Sequence, residues 1–459
     1  MVLEDFGPSQ RALAAADEGP AWEMMQSFKS IPRYDPRSCP DGLIDLSGAD
    51  NGLMDDWKAH FIANRPDLQM KQEWLSYGAI AGSPALRSAA AGFFNRHFDA
   101  NPRITADNII AANGVTSLID LMAWSLCDPG DAVLYPTPNF YMIDCDLKTR
   151  GAVQTVPFST SAISPDPFDP SAAQAMVDLA EVAATGFERH SSRGRCKVLF
   201  LCNPANPQGR CWPPATLRAL ALWCARRGMH LVVDEIYAMS DFSRGEPTSP
   251  APFTSCLSLI GNGVLRQNVH CLYGMSKDYG MGGLRVGFMV TQNQAVRTAA
   301  LEATWFTWLT AYSDAFVTGF LSDLDAVDDY LGVYRRRLAQ EYDKTVRALS
   351  RSQIPFSPAS AGLFVYIDLN QWLHYFESRH ADDAVAQKRR PPTLSSELQL
   401  NKWLVHHGVL LNPGEFAGSD QPGHFRMVFT EFPGATGKAV DRIRDALGRL
   451  ERRQTPFIL

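Results

Sequence analysis

Several features that would place a protein in a special environment are missing from this chain of 459 residues. No apolar run approaches the roughly 20 residues of a membrane-spanning helix; the run at residues 198–202 is typical of those present. Residues 1–15 include Glu4 and Asp5 and lack the basic and then apolar pattern of a secretory signal. We therefore expect a cytoplasmic protein that does not enter a membrane.

The sequence also lacks clusters of like charge and clusters of cysteine. The net charge is -6 with no long run of one sign, which argues against a nucleic-acid-binding face. The nine cysteines form no Cys-x-x-Cys pair, and no Cys and His cluster has zinc-ligand spacing. We expect reduced core thiols and no metal. With 46% apolar and 20% charged residues, the composition is that of a globular enzyme.

Short strand-like runs alternate with helical patterns between about residues 71 and 310. Strands are predicted at residues 131–135, 197–202, 230–234, 269–273 and 284–291, with helices such as Val115–Leu126 and Pro214–Arg227 between them. This alternation predicts an α/β fold with a mostly parallel sheet covered by helices. Ligands of such sheets gather beyond the carboxyl ends of the strands.

The regular alternation of strand-like and helical patterns ends after residue 310. An amphipathic pattern at residues 328–349, a strand-like run at 362–369 and a helical end at 437–453 predict a smaller α/β domain. The polar stretch at residues 380–396 contains Arg389-Arg390-Pro391-Pro392 and is expected to be an exposed loop. We divide the chain into an N-terminal arm and part of the small domain (1–70), a large domain (71–310) and a C-terminal small domain (311–459).

The run from Tyr273 to Gly287 is the most informative part of the chain. It places Lys277 among small residues, with Arg285 eight positions later. An amine can form a Schiff base with an aldehyde, and a guanidinium can hold a phosphate through two hydrogen bonds. Pyridoxal 5'-phosphate (PLP) has both groups. By itself, a lysine in a glycine-rich loop also fits a solvated turn.

Residues after other strands fit the ring of this cofactor. Asp234 directly follows an apolar strand, and a buried carboxylate there would keep a pyridine nitrogen protonated. Tyr237 and Asn206 could donate hydrogen bonds to the ring oxygen. The alternatives are a helix N-cap for Asp234 and plain Asn-Pro turns around Asn206.

Two further segments fit the phosphate and the ring face. Gly114 opens a helical pattern, and Thr116 and Ser117 add hydroxyls to backbone N–H groups that bind phosphate at a helix start. Phe140 follows a strand end and could cover the ring. Simple helix capping and core packing are the respective alternatives.

In this order and spacing, the residues resemble the fold type I PLP-dependent enzymes, the aspartate aminotransferase superfamily of class I/II aminotransferases. The resemblance runs from about Tyr34 to Arg444. It implies a homodimer, and it implies that Arg426 clamps the substrate carboxylate, although a lone arginine is usually a surface residue. The cofactor residues that it implies are Lys277, bound to the aldehyde; Asp234, at the pyridine nitrogen; Tyr237 and Asn206, at the ring oxygen; Phe140, stacked on the ring; Val115, Thr116, Ser276 and Arg285; and Tyr77 from the neighbouring subunit.

Within that superfamily the chain is most similar to the 1-aminocyclopropane-1-carboxylate (ACC) synthase-like group. The likeness lies in Tyr34-Asp35-Pro36 with the following residues 40–51, in residues 127–138, in Ser276-Lys277-Asp278 and in residues 411–414. Three positions depart from the group. Asp50 replaces a substrate-facing glutamate, Asn139 replaces a tyrosine, and Gly274 replaces a phosphate-binding serine. The resemblance implies that Asp50 and Asn139 both lie on the substrate side.

The resemblance implies an amino-acid substrate and removal of its Cα proton. S-adenosylmethionine or a similar γ-substituted amino acid would then lose its γ-leaving group by cyclopropane formation, γ-elimination or γ-substitution. An aminotransferase that exchanges an amino acid with a 2-oxoacid is the alternative. A transcription regulator is disfavoured because no helix-turn-helix pattern precedes the enzyme-like part. A dinucleotide-binding oxidoreductase is disfavoured because Arg285 stands where a third glycine should fall.

Overall fold

The computed structural model describes residues 7–10, 12–13, 25–243, 251–376 and 394–452. Of the predicted loop at 380–396, only residues 394–396 lie within these ranges. The helices are α1 (Asp55–Ala63), α2 (Pro84–His97), α3 (Val115–Leu126), α4 (Ile143–Gly151), α5 (Ala173–His190), α6 (Pro214–Arg227), α7 (Cys256–Leu259), α8 (Leu265–Asn268), α9 (Gln294–Ala303), α10 (Ala311–Leu321), α11 (Leu324–Arg351), α12 (Ser396–His406) and α13 (Thr436–Glu451). The strands are β1 (Ile44–Asp45), β2 (Ile109–Ala112), β3 (Ala132–Thr137), β4 (Gln154–Ser159), β5 (Cys196–Cys202), β6 (His230–Asp234), β7 (Val269–Gly274), β8 (Gly287–Thr291), β9 (Phe356–Ser357), β10 (Phe364–Asp368), β11 (Val409–Leu410), β12 (Asn412–Pro413) and β13 (His424–Val428).

A seven-stranded sheet forms the centre of the large domain, in the order β2-β8-β7-β6-β5-β3-β4. Strand β8 runs antiparallel to both of its neighbours, and the other pairs are parallel. Cys202 pairs with Asp234, and Asp234 pairs with Leu272, so the carboxyl ends of β5, β6 and β7 lie side by side. The predicted mostly parallel sheet is confirmed.

Both faces of this sheet are covered, which explains why β5 reads as an apolar run. Successive side chains of a strand point to opposite faces. Val198 and Phe200 therefore join the core beneath α3 and α4, whereas Leu199 and Leu201 join the core beneath α5 and α6. The sequence could not assign these helices to faces, because strand order is a long-range property.

The smaller domain has its own apolar core. The antiparallel sheet β12-β13-β10-β9 and the parallel pair β1-β11 pack with α12 and α13. Helix α11 joins both cores: Tyr330 and Tyr334 pack in the large one, and Ala348 and Leu349 pack in the small one. The exact domain boundaries stay a prediction.

The observed bounds of helices and strands agree best with the predicted ones where the sequence contains a clear stop signal such as a glycine. Helix α6 ends at Arg227 and is capped by Gly228, which has a φ of 65°, a left-handed conformation that favours glycine. Strand β8 starts three residues later than predicted, because Gly282–Leu284 forms a 3-10 turn and Arg285 has a φ of 53°. Helix α1 lies within the expected N-terminal arm; its Trp57 and Phe61 pack against the large core, but none of its residues is fully buried. Among the described residues, no helix is both long and apolar enough to cross a membrane.

Candidate active site

A cavity of about 160 Å³ opens at the carboxyl ends of β5 and β6. It is lined by most of the residues that the sequence predicted for the cofactor, namely Val115, Thr116, Phe140, Asn206, Asp234, Tyr237, Ser276, Lys277 and Arg285. Ile119, Cys202 and Ile236 line it too and were not singled out from the sequence. Cys202 ends the strand beside Asp234, so the rule that ligands gather at strand ends could have found it.

Lys277 is held at one side of this cavity. Its Nζ donates a hydrogen bond to the main-chain oxygen of Ala49 at 3.1 Å. The side-chain amide of Asn51 donates to the main-chain oxygens of Lys277 at 3.0 Å and Asp278 at 3.1 Å. Burial, and then the nearby Arg426 guanidinium, lower the pKa of Lys277 to about 8. A substantial neutral fraction is therefore present near physiological pH, and the neutral amine is the form that attacks an aldehyde.

Asp278 anchors the lysine loop to the protein interior. Its buried carboxylate accepts hydrogen bonds from the Met239 N–H at 2.9 Å, the Tyr273 hydroxyl at 2.9 Å and the Ser240 hydroxyl. The Tyr330 hydroxyl donates to the main-chain oxygen of Asp278 at 3.0 Å. This network could not be read from the sequence, because most of its donors, Asn51 and Tyr330 among them, lie far from Asp278 along the chain.

Asp234 is buried at the end of β6. Its carboxylate accepts one hydrogen bond, from the Ile236 N–H at 3.1 Å, and no other reaches it from the described residues. Burial raises the pKa of Asp234 to about 7. Burial also raises the pKa of Tyr237, whose hydroxyl has no partner among the described residues and remains a donor. A ring with a protonated nitrogen and an oxygen would satisfy both groups.

The opposite end of the cavity suits an anion. Gly114 caps α3 with a φ of 110°, and a Cβ placed on it would lie 2.4 Å from Nη2 of Arg285. The guanidinium therefore lies directly against the helix N-terminus, where backbone N–H groups and the helix dipole also favour negative charge. Gly274, where the resemblance implies a serine, has no room for a side chain, because a Cβ there would be 2.9 Å from the Val286 oxygen.

We expect Gly114→Ala to weaken cofactor binding at least about tenfold, because its methyl group would displace the Arg285 guanidinium. Equilibrium dialysis with PLP measures this effect. Gly130→Ala is a matched control: Gly130 has a φ of 93°, but nothing lies within 4 Å of an added Cβ. Both variants should lose stability from backbone strain. Equal cofactor affinity in the two variants would contradict the steric argument.

Arg426 lies beside the cavity and is 5% exposed. One guanidinium nitrogen donates to Oδ1 of Asn206 at 3.1 Å, and the other donates to the main-chain oxygen of Ser47. Its Nε is buried without a partner among the described residues. A small pocket adjoining Asn206 is lined by Arg426 and Asn139. A buried cation with an unused N–H is suited to a carboxylate.

The two departures on the substrate side differ in what they can do. Both polar groups of Asn139 are occupied locally: its Oδ1 accepts from the Phe140 N–H at 2.7 Å, and its Nδ2 donates to the Pro136 oxygen at 3.2 Å. These bonds fix the turn that presents Phe140. Asp50 is exposed and directly follows Ala49, the partner of Lys277. Their roles toward a substrate stay predictions.

Tyr77 is not brought into the cavity of its own chain. It is 94% exposed, and its ring stacks on Trp308 with ring centroids 5.5 Å apart. The expected contribution of Tyr77 to a neighbouring subunit therefore stays a prediction.

Two other features lie apart from this cavity. A groove of about 880 Å³ runs between the N-terminal segment and α13, but its cations are occupied: Lys438 and Arg442 donate to backbone carbonyls, and Arg449 pairs with Asp445. Glu235, Cys256 and Cys271 come together in the core, which the sequence did not predict. The carboxylate of Glu235 is occupied there by a hydroxyl, an N–H and a thiol.

An amine, a ring-binding carboxylate and an anion pocket around one cavity of this fold define a PLP-dependent enzyme of fold type I. The sequence matches the family Aminotransferase class I and II over residues 44–446, and the chain belongs to that family. Its cofactor is PLP. Members of the family act on amino acids and are typically homodimers.

The chain is also similar to curated 1-aminocyclopropane-1-carboxylate synthases. The chain is 29% identical over 436 residues to 1-aminocyclopropane-1-carboxylate synthase 1 of Oryza sativa subsp. indica, covering 91% of this chain and 83% of the relative. It is 27% identical over 449 residues to 1-aminocyclopropane-1-carboxylate synthase 7 of Arabidopsis thaliana, covering 95% of this chain and 94% of the relative.

Solved structures confirm the fold. A Thermus thermophilus aspartate aminotransferase mutant complexed with tryptophan superposes with a TM-score of 0.71, at 19% identity, over 96% of this chain and 99% of that one. Kynurenine aminotransferase of Pyrococcus horikoshii superposes with a TM-score of 0.70, at 17% identity, over 97% and 98%.

Proposed function

We propose that the protein is an ACC synthase-type enzyme that acts on S-adenosylmethionine or a similar γ-substituted amino acid. The observation that supports this most is the segment Ala49-Asp50-Asn51, which resembles the ACC synthase signature and holds Lys277 through two of its residues. The curated ACC synthases, similar over most of their length, support the same proposal.

In this proposal the chain's residues have distinct tasks. Bound PLP withdraws electrons from the substrate Cα. Arg426 binds the substrate carboxylate, Lys277 removes the Cα proton as a neutral amine, and Asp234 keeps the ring nitrogen protonated. Tyr237 and Asn206 donate to the ring oxygen. Phe140 covers the ring face, while Val115, Thr116, Ser276 and Arg285 hold the phosphate.

We further propose a homodimer to which Tyr77 contributes across the interface, and a cytoplasmic location. The exposed aromatic ring of Tyr77 is consistent with an interface position. All nine cysteines are free, as is usual in a reducing compartment.

An aminotransferase is the second possibility, since the solved neighbours of the same fold are aminotransferases. The same residues would bind the amino acid and remove its proton, and the reaction would differ in where the proton returns. Sequence identity to these neighbours is 19% or less, so they inform the fold alone.

The two possibilities separate in one pair of assays. The purified holoenzyme is incubated with S-adenosylmethionine and analysed for methylthioadenosine, and then with amino acids and 2-oxoglutarate and analysed for glutamate. We expect methylthioadenosine. Glutamate without methylthioadenosine would replace the proposal with the aminotransferase.

A further inference from the structure

Tyr366 on β10 carries a hydroxyl group that its surroundings leave unused. The residue is 6% exposed, and the hydroxyl oxygen is buried without a hydrogen-bond partner among the described residues. The nearby Ser419 hydroxyl donates to the main-chain oxygen of Gln421 at 3.0 Å instead. Burial, against the opposing effect of Ser419, raises the pKa of Tyr366. The hydroxyl therefore keeps its proton and is available as a donor.

The position of Tyr366 places it beside the arginine that is proposed to bind the substrate. Tyr366 and Arg426 are direct partners in the antiparallel pair of β10 and β13. The side chains of such partners lie on the same face of the sheet, with Cβ atoms about 5 Å apart. Both residues line the small pocket that adjoins Asn206. Gly414 lines it too, and a Cβ placed on Gly414 would lie 2.5 Å from the Tyr366 hydroxyl. The hydroxyl therefore lies at the wall of this pocket, where the lack of a side chain at position 414 leaves space for it.

The size of the small pocket limits what can enter it. Its volume of about 10 Å³ is close to the space that one water molecule needs. The pocket can thus take one oxygen atom of a ligand, but not a side chain. Asn206 lines both this pocket and the cofactor cavity, so that oxygen would belong to a molecule bound next to the cofactor.

The residues that line the pocket include two buried donors without an acceptor, the Tyr366 hydroxyl and Nε of Arg426. A buried donor without an acceptor costs free energy, and a ligand that supplies the acceptor recovers it. A carboxylate suits both donors, because its two oxygens can accept about four hydrogen bonds. An ammonium group does not, because it has no lone pair.

We propose that Tyr366 is a substrate-binding residue, whose hydroxyl donates a hydrogen bond to the carboxylate oxygen that enters the small pocket beside Arg426. This inference rests on the proposed function and adds a residue to the same site. Arg426 would supply the charge that attracts the carboxylate. Tyr366 would fix how the carboxylate is turned, and the carboxylate is bonded to the reacting Cα.

The test compares two ligands that differ in the carboxylate alone, α-methylmethionine and 4-(methylthio)butan-2-amine. The amino acid has no Cα proton, so it binds without turnover in either proposed reaction. Dissociation constants are measured from the change in PLP absorption of the holoenzyme. We expect Tyr366→Phe to reduce the preference for the amino acid about tenfold, since a hydrogen bond to a charged group is lost. Its affinity for the amine should stay within about twofold of the native value.

Tyr135→Phe is the matched control. It removes a buried hydroxyl that donates to Asp144, and Tyr135 lines neither the cofactor cavity nor the small pocket. Its preference for the amino acid should equal that of the native protein. Tyr366→Phe should also unfold at the same temperature as the native protein or higher, because it removes a hydroxyl that has no partner.

An unchanged preference in Tyr366→Phe would overturn the inference, as would an equal loss of affinity for both ligands, which would indicate a structural role. Arg426→Lys tests the proposed function separately and should lower the preference as well, because a lysine cannot bind a carboxylate through two parallel hydrogen bonds. A native preference in Arg426→Lys would refute the carboxylate role of Arg426 itself.

Discussion

Replacing Lys277 with alanine is expected to slow exchange of the substrate Cα proton by at least about 10⁴-fold, because no other described amine lines the cavity. Exchange with deuterated water, followed by proton NMR, measures this step for either proposed reaction. Borohydride should fix PLP covalently to the native chain but not to the variant.

Lys148→Ala is a suitable control for this experiment. Lys148 is exposed on α4 and pairs with Asp144, away from the cavity. The control should retain both exchange and borohydride fixation. Covalent fixation of PLP to the Lys277→Ala chain would show that another amine binds the cofactor, and the proposed site would then be wrong.

Replacing Asp234 with asparagine is expected to lower the exchange rate by on the order of 10²–10³-fold. A neutral amide cannot stabilise a protonated ring nitrogen as a buried carboxylate does. Asp120→Asn is the control, since Asp120 is a partly buried carboxylate of α3 paired with Arg150. Similar rates in the two variants would contradict the assigned role.

The same substitution should have the opposite effect on stability. Burial raises the pKa of Asp234 from 3.8 to about 7 in the cofactor-free protein, so ionisation favours the unfolded chain. Stability is therefore lost as the pH rises from about 4 to 7. We expect Asp234→Asn to raise the Tm of the cofactor-free protein, and to raise it more at pH 8 than at pH 5. Thermal unfolding at both pH values measures this difference.

The sequence was informative where the residues that determine a feature lie close together in one short segment. The buried strand β6 ends at Asp234, and Gly114 opens α3, so the residue order alone indicated where a ring and a phosphate could bind. Lys277 and Arg285 share one loop, and their spacing could be interpreted without knowledge of the fold.

Other features could not be predicted from the sequence, because they depend on contacts between residues that lie far apart along the chain. Asn139 is predicted to lie on the substrate side, and only the structure shows that its own turn also occupies its polar groups. The anchoring of Asp278 depends partly on donors that are distant along the chain, such as Asn51 and Tyr330. Helix α1 was missed because only Trp57 and Phe61 pack against the core and neither is fully buried, which leaves a weak apolar pattern.

The sequence by itself determined the family and the cofactor, since these depend on residue types at fixed spacings around strand ends. Only the tertiary structure decided the electrostatics. The lowered pKa of Lys277 and the raised pKa of Asp234 arise mainly from burial, which depends on how distant elements pack. Oε2 of Glu431, which is buried without a hydrogen-bond partner among the described residues, likewise depends on tertiary packing, because its neighbour in space, Gly48, lies far away along the chain.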